Sequence, residues 1–309
     1  MAKEERKAKR KPSVSIVGAG RMGGALAVKL ASQGYSVEAL VARRLSHARR
    51  VAGLLGHRAV TLSELQLPTL PPSDLIIIAT PDDAIASVAL MLASAQAAPR
   101  GGCVVLHTSG ALSSQVLSPL ADAGFGTGSL HPLVSISDAV SGADSLGGAF
   151  FCLEGDRAAL RVGRRLVSDL GGHAFSIESK SKALYHAAAV TASGNMTALF
   201  DIASEMLAAC GLSRRRAREV LLPLIQSAVA NLSLMDPAQA LTGTFARGDV
   251  ATVQRHLAAI QERSLPQVLA LYVLLGRRSL SLAKQQKLTA ATADQISTLL
   301  ERAEKGRKE

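Results

Sequence analysis

The sequence predicts an α/β fold: a mainly parallel sheet flanked by helices, followed by an all-helical C-terminal domain. Three observations carry this. Short apolar runs alternate with helical stretches from Ser13 to about Glu178. Strand signals stop from Ser179 onward. Three glycines, Gly18, Gly20 and Gly23, stand directly after the first strand and open the first helix. The boundaries that follow are a tail over residues 1–12, a sheet domain over 13–178 and a helical domain over 179–304.

The elements are justified in order. Residues 14–17 (V-S-I-V) read as a strand, 22–32 as a helix and 36–42 as a second strand. The Pro-rich patch 67–73 is a loop before the Ile-rich strand 75–79, whose unbroken apolar run indicates burial on both faces. Residues 104–107 and 128–131 are further strands, and strands at 149–153 and 174–177 flank a helix over 157–170. Helical periodicity then covers 182–210, 215–234, 250–262, 266–279 and 290–303.

Composition limits the function. The chain has 309 residues, 48% of them hydrophobic, enough for a sizeable core. Its apolar stretches, such as 268–275, fall far short of the roughly 20 residues that a membrane span needs, so no membrane partner is expected. The net charge is +11. Residues 1–11 hold six basic and two acidic residues and lack the apolar centre of a secretory signal, so they read as a disordered basic tail. Residues 301–309 form a similar charged fringe. The remaining basic excess suits an anionic ligand such as a phosphorylated cofactor. Without interleaved aromatics or a nucleic-acid motif, nucleic-acid binding is disfavoured; through the tail alone it would be salt-sensitive. Cys103, Cys152 and Cys210 show no CxxC spacing. They read as small buried apolar residues in a reducing, cytoplasmic protein.

The glycine turn points to a dinucleotide. Gly18 allows a tight turn, Gly20 lets backbone approach a pyrophosphate, and Gly23 lets helix pack on strand. Ala19, Arg21 and Met22 complete the turn and the helix N-terminus, which offers free N–H groups to phosphates. The second strand ends in Arg43 and Arg44, followed by Ser46, where an NAD site usually has an acid. Two guanidiniums and a hydroxyl suit a 2′-phosphate, so the expected cofactor is NADP(H). Glu38 lies too early in that strand to serve as the acid. After the Ile-rich strand, Thr80 and Pro81 are expected to line the cofactor, and Asp82 and Asp83 to cap the next helix.

Candidate chemistry lies at the same strand ends. His107 (L-H-T-S-G) and His131 (S-L-H-P-L) can donate to a substrate or exchange protons; the bland reading of each is a structural histidine. Thr108 and Ser109, with Gly110, form a turn able to hold a substrate carboxylate, or an N-cap. Lys182 and His186 are four apart on an Ala-rich helix and share one face, which is costly unless they are used or paired. Asn195 falls roughly opposite Lys182 unless the helix kinks near Gly194. The loop L-T-G-T-F-A-R-G-D contributes Thr242 and Arg247, with Asp249 as a helix N-cap in the bland account.

Taken together, GxGxxG, H-T-S-G, L-H-P, K-x-x-Y-H-A-A-A and L-T-G-x-x-x-R-G-D resemble a Rossmann-like domain-of-unknown-function family. That family belongs to the 6-phosphogluconate dehydrogenase-like superfamily and is related to pyrroline-5-carboxylate reductase. The resemblance covers about residues 13–270. It implies an NADP-binding domain, a helical domain that makes homodimers, and an oxidoreductase acting on a small carbonyl, imine or alcohol in an interdomain cleft. In the related β-hydroxyacid dehydrogenases a Lys and an Asn four apart bind the substrate. Lys182 matches that Lys, while position 186 is His. Lys182, His186, His107 and His131 are the catalytic candidates; Thr108, Ser109, Asn195, Thr242 and Arg247 are the substrate-binding ones. The alternative is a non-catalytic NADP sensor.

Overall fold

The computed structural model describes residues 11–95, 102–263, 265–286 and 288–305. The expected basic tail lies outside the described residues up to residue 10, and the C-terminal fringe does so from residue 306. Lys11 does pack: its ammonium sits 4.9 Å over the ring of Tyr35 and pairs with Asp169, to which the Tyr35 hydroxyl also donates. The chain divides into two compact units, meeting between Gly194 and Asn195.

The first unit is built on an eight-stranded sheet. In chain order its elements are β1 (Val14–Val17), α1 (Arg21–Ser32), β2 (Val37–Ala42), α2 (Leu45–Ala52), β3 (Val60–Ser63), β4 (Leu75–Ile78) and α3 (Asp82–Ala95). There follow β5 (Val104–His107), α4 (Ser118–Asp122), β6 (Gly126–Leu133), α5 (Ala139–Ser145), β7 (Phe150–Gly155), α6 (Arg157–Asp169), β8 (His173–Ser176) and α7 (Lys182–Ala192). The sheet order is β3-β2-β1-β4-β5-β6-β7-β8. Every neighbouring pair is parallel except β6 with β7, which run antiparallel with His131 opposite Cys152.

Burial explains the sequence pattern. All four residues of β4 are buried, as a central strand covered by helices on both faces requires. Two apolar cores lie on the two sides: one gathers Leu26, Leu30, Val51, Leu153 and Leu166 around one face of the sheet, the other Ile76, Ile78, Ile85, Leu92 and Leu117 around the opposite face. α6 is strongly amphipathic and starts at Asp156, whose carboxylate accepts the Ala159 N–H.

The second unit comprises α8 (Gly194–Ala209), α9 (Arg214–Leu234), α10 (Pro237–Ala240), α11 (Thr244–Arg247), α12 (Val250–Glu262), α13 (Pro266–Ala283) and α14 (Ala290–Lys305). Its core joins Val253, Leu257 and Ile260 of α12 to Val273 and Leu280 of α13 and Ile296 and Leu300 of α14. The single helix expected over 182–210 is in fact two, because the backbone at Ser193 (φ −119°, ψ −71°) leaves helical geometry before Gly194. The strand Val60–Ser63 was not anticipated; it pairs at the sheet edge with only Leu62 buried. Cys103 and Cys152 are buried as expected, but Cys210 is exposed, since it lies just past the end of α8.

Candidate active site

The turn between β1 and α1 shows three glycines with three separate steric duties. Gly18 has φ +106°, a left-handed region that suits glycine, and a Cβ there would lie 2.5 Å from the carbonyl carbon of Ala79 at the end of β4. A Cβ at Gly23 would lie 2.0 Å from the Gly18 carbonyl oxygen. At Gly20 a Cβ would meet nothing within 4 Å. Gly18 therefore lets the turn lie against the end of β4 and Gly23 lets α1 close on the turn, while Gly20 leaves open space in front of the α1 N-terminus. That terminus has no side-chain cap and no acid in its first turn. Its first N–H groups lack helical partners and carry partial positive charge, which favours phosphate.

The open space belongs to a cavity of about 590 Å³. Gly18, Ala19, Gly20, Arg43, Arg44 and Thr80 are in its wall, as is Pro81. The Thr80 hydroxyl is buried there without a protein partner. Arg21, Met22, Gly23 and Ser46 are not part of the wall; Met22 instead packs on the core. His47, one turn into α2, and Glu64, just after β3, join the wall unforeseen. His47 stands three residues after Arg44 on an amphipathic helix, a spacing that the sequence displays. Glu64 follows the strand that periodicity missed. Asp83 also reaches the wall, but it follows β4, on the other side of β1 from the arginines. These features fit a phosphorylated dinucleotide: an open cradle at Gly20, an unpaired hydroxyl at Thr80, and two guanidiniums beyond β2.

A second group of residues gathers where β5, β6 and α7 meet. Lys182 is 1% exposed; its ammonium donates to the Ser109 carbonyl at 3.0 Å and to the Ser129 hydroxyl at 2.7 Å. Burial pushes this ammonium below its ordinary pKa, against the raising pull of Cys152, Glu154 and Asp82. The Glu154 carboxylate accepts from the Ser114 N–H, the Ser114 hydroxyl and the Ser179 hydroxyl, and so ties the turn entering α7 to the sheet. Burial alone would raise its pKa, but those hydrogen bonds prevail and hold it below the usual carboxylate value.

The histidines divide by environment. His107 is fully buried: its Nδ1 accepts the Ser109 N–H at 3.2 Å, so the proton lies on Nε2, which donates to the Ser113 carbonyl. Burial and the Lys182 charge push its pKa down to about 4. His131 holds the Tyr185 hydroxyl at 2.7 Å through Nδ1 and packs edge-on against the His186 ring, centroids 5.4 Å apart. Burial, Lys182 and His186 push it down to about 4 as well. His186 Nδ1 is buried without a partner. Gly110 makes this meeting possible, because a Cβ there would lie 2.3 Å from His186 Nδ1 and 2.8 Å from His131 Nε2. The shared face expected for Lys182 and His186 is thus present: both converge on the Ser109–Gly110 turn.

The remaining candidates are placed as follows. Thr108 donates its N–H to the Ile78 carbonyl. The Ser109 hydroxyl donates to Asp82 and accepts the N–H groups of Ala111 and Leu112, a side-chain-closed turn that opens no helix. Asn195, Thr242 and Arg247 belong to the second unit and are exposed. Arg247 pairs with Asp249 at 2.7 Å, so Asp249 occupies the N-cap position of α12 without capping it through its side chain. Ser129, Tyr185 and Glu154 were not singled out from sequence, and Gly110 was named only as part of a turn. Gly110, Ser129 and Tyr185 stood inside the quoted motifs, but their roles depend on partners distant in sequence, His186, Lys182 and His131.

Residues 2–132 match the family model described as Rossmann-like domain, and residues 149–279 match Domain of unknown function (DUF2520). No curated protein matches the chain. Among solved structures, a "putative NADP oxidoreductase" of Bacteroides fragilis is 20% identical with a TM-score of 0.70, over 88% of this chain and 99% of that one. A Thermotoga maritima protein is 24% identical with a TM-score of 0.70 over the same shares. Plasmodium falciparum pyrroline carboxylate reductase with NADP bound is 13% identical with a TM-score of 0.56, over 94% of this chain and 98% of that one. These likenesses show a common fold.

Proposed function

We propose that this chain, which matches a Rossmann-like domain over residues 2–132 and DUF2520 over residues 149–279, is an NADP(H)-dependent oxidoreductase acting on a small carbonyl, imine or alcohol. The observation that carries the reading is Gly20, open to the cavity before the α1 N-terminus between two glycines that the fold itself requires. The names of the similar Bacteroides fragilis and Plasmodium falciparum proteins support it. In this reading the Gly18–Gly23 turn holds the pyrophosphate, Thr80 and Pro81 border the cofactor, and Arg43 and Arg44 take the 2′-phosphate. Ser46 is within a turn of those arginines. Glu64 opposes the phosphate, but two guanidiniums outweigh it. Bound there, the dinucleotide supplies or accepts a hydride.

On the substrate side, Lys182 keeps a fixed positive charge behind the Ser109–Gly110 turn, where it polarises the reacting heteroatom. His131 and His186 present imidazoles in front of it. His107 sets the turn from beneath, and Thr108 and Ser109 shape it. Asn195, Thr242 and Arg247, in the second unit, are assigned to substrate binding on the resemblance alone. The chain would work as a homodimer, since α9 buries only Ala217 in its own chain and exposes Val220, Leu222, Leu224, Val229 and Leu232.

Titration with NADPH and NADH tests the cofactor reading. Arg43→Ala with Arg44→Ala should raise the NADPH Kd by roughly 100-fold, the loss of two charge-assisted contacts, and leave NADH within about twofold. Equal losses for the two dinucleotides would remove the arginines from phosphate recognition. Lys182→Met should lower turnover by about 100-fold or more with NADPH binding intact. Unchanged turnover would remove Lys182 from the mechanism.

A further inference from the structure

A second cavity of about 490 Å³ opens in the first unit beside the paired histidines, and the oxidoreductase reading leaves its ligand undefined. Its wall includes His131, Pro132, Val134, His186, Ala189 and Val190, with the rest aliphatic, Ser or Gly. Among the described residues no Lys, Arg, Asp or Glu side chain enters that wall. We propose that this cavity takes an uncharged ketone or imine, held by a hydrogen bond from His131 rather than by a cation. The proposal rests on the oxidoreductase reading and narrows its substrate class.

The proposal assigns the donor through the neighbours of His131. The Tyr185 phenol, 2.7 Å from Nδ1, donates to it in this assignment, which puts the imidazole proton on Nε2. Burial and the neighbouring Cys152 raise the Tyr185 pKa, so the phenol keeps its proton. At Gly110 the missing Cβ leaves room for that Nε2 and for His186 Nδ1, which is buried without a partner. The His131 and His186 rings therefore line a cavity without charged side chains, and His131 supplies its imidazole donor.

Charge excludes the alternative. A carboxylate entering this wall would give up its hydration with no counter-charge in the wall to replace it, a cost that a neutral carbonyl avoids. His131 does not supply the charge, since burial keeps it neutral around pH 7. Lys182 lies behind the wall, turned to the Ser109 carbonyl and the Ser129 hydroxyl, so it acts on the turn and offers no ion pair to a ligand in the wall.

The test uses the full chain with 15N-labelled histidine. Its ring resonances are followed while cyclohexanone or cyclohexanecarboxylate is added, with and without NADP⁺, and NADPH binding is measured separately. Cyclohexanone should shift the His131 signals at least tenfold more tightly than the carboxylate. The His131 Nε2-protonated pattern should be lost in Tyr185→Phe. Val190→Arg places a cation in the wall from a side chain 42% exposed in the parent, so folding is retained, and it should bring the carboxylate to parity or better. The proposal falls if the carboxylate binds the parent as tightly as the ketone, if the ketone moves no histidine signal, or if Val190→Arg leaves the preference unchanged. NADPH binding without a ketone shift overturns this inference alone. A ketone shift without NADPH binding overturns the cofactor reading alone.

Discussion

At His107 the imidazole is enclosed, with both nitrogens engaged by the backbone of the turn that follows it. Charging the ring would put a proton on Nδ1 and break its bond with the Ser109 N–H. The unfolded chain carries a histidine near its ordinary pKa of about 6.5, whereas the folded one sits at about 4. Between these values the unfolded state binds more protons. The stability linked to the neutral ring is therefore fully present above about pH 6.5 and is lost as pH falls towards 4. For this fully buried ring the loss is on the order of 3 kcal/mol, and His131 adds in the same direction. Urea midpoints measured from neutral pH down to about 4.5 should fall steadily below 6.5, and His107→Asn should flatten that fall. A flat profile in the parent protein would show that these rings charge without penalty. Residue-level legibility follows from this. Histidine at a strand end is visible in sequence, but whether its nitrogens face solvent or backbone is decided by Ser113, six residues on, and by Lys182, which no local pattern links to it.

Helix α1 and its turn act as one element, and the glycines divide its stability from its binding. Gly20→Ala adds a methyl group into open space, so the melting temperature should stay within a few degrees of the parent while NADPH binding weakens by tenfold or more. Gly23→Ala presses a methyl group onto the Gly18 carbonyl oxygen, and thermal scanning should register a destabilisation of roughly 1–3 kcal/mol whether or not cofactor is present. Similar stability for the two variants would contradict this division. This element was readable because its three glycines lie within ten residues, although the contact of Gly18 with Ala79 is not local. So were β4 and α6, whose apolar periods are strong. The strand Val60–Ser63 was not, since an edge strand with a single buried residue carries no period, and Glu64 was lost with it. The break between α7 and α8 was anticipated only as a kink, because Ala-rich sequence continues through it on both sides.

At the scale of the whole molecule, the sheet's parallel run is closed by a reversed strand, and the fold passes to helices whose core lies in α12, α13 and α14. That the sheet is mainly parallel was legible from alternating strand and helix signals. The antiparallel β6–β7 pair was not, since direction depends on which edge the chain reaches. Helix α9 shows apolar side chains on most of its circumference, and burying a pair of leucines stabilises an interface by about 3–6 kcal/mol. Sedimentation should find a dimer for the parent and a monomer for Leu224→Glu with Leu232→Glu. A parent that sediments as a monomer would refute the homodimer. The phenols carry a consequence of a different kind. The chain has no tryptophan and three tyrosines, each hydrogen-bonded to a different partner: Tyr35 to Asp169 beneath the sheet, Tyr185 to His131 beside the cavity, and Tyr272 to His256 in the helical unit. Near-ultraviolet absorption and emission therefore come from one chromophore in the sheet, one at the candidate site and one among the helices. The protein carries its own set of spectroscopic reporters, one for each region whose behaviour is in question.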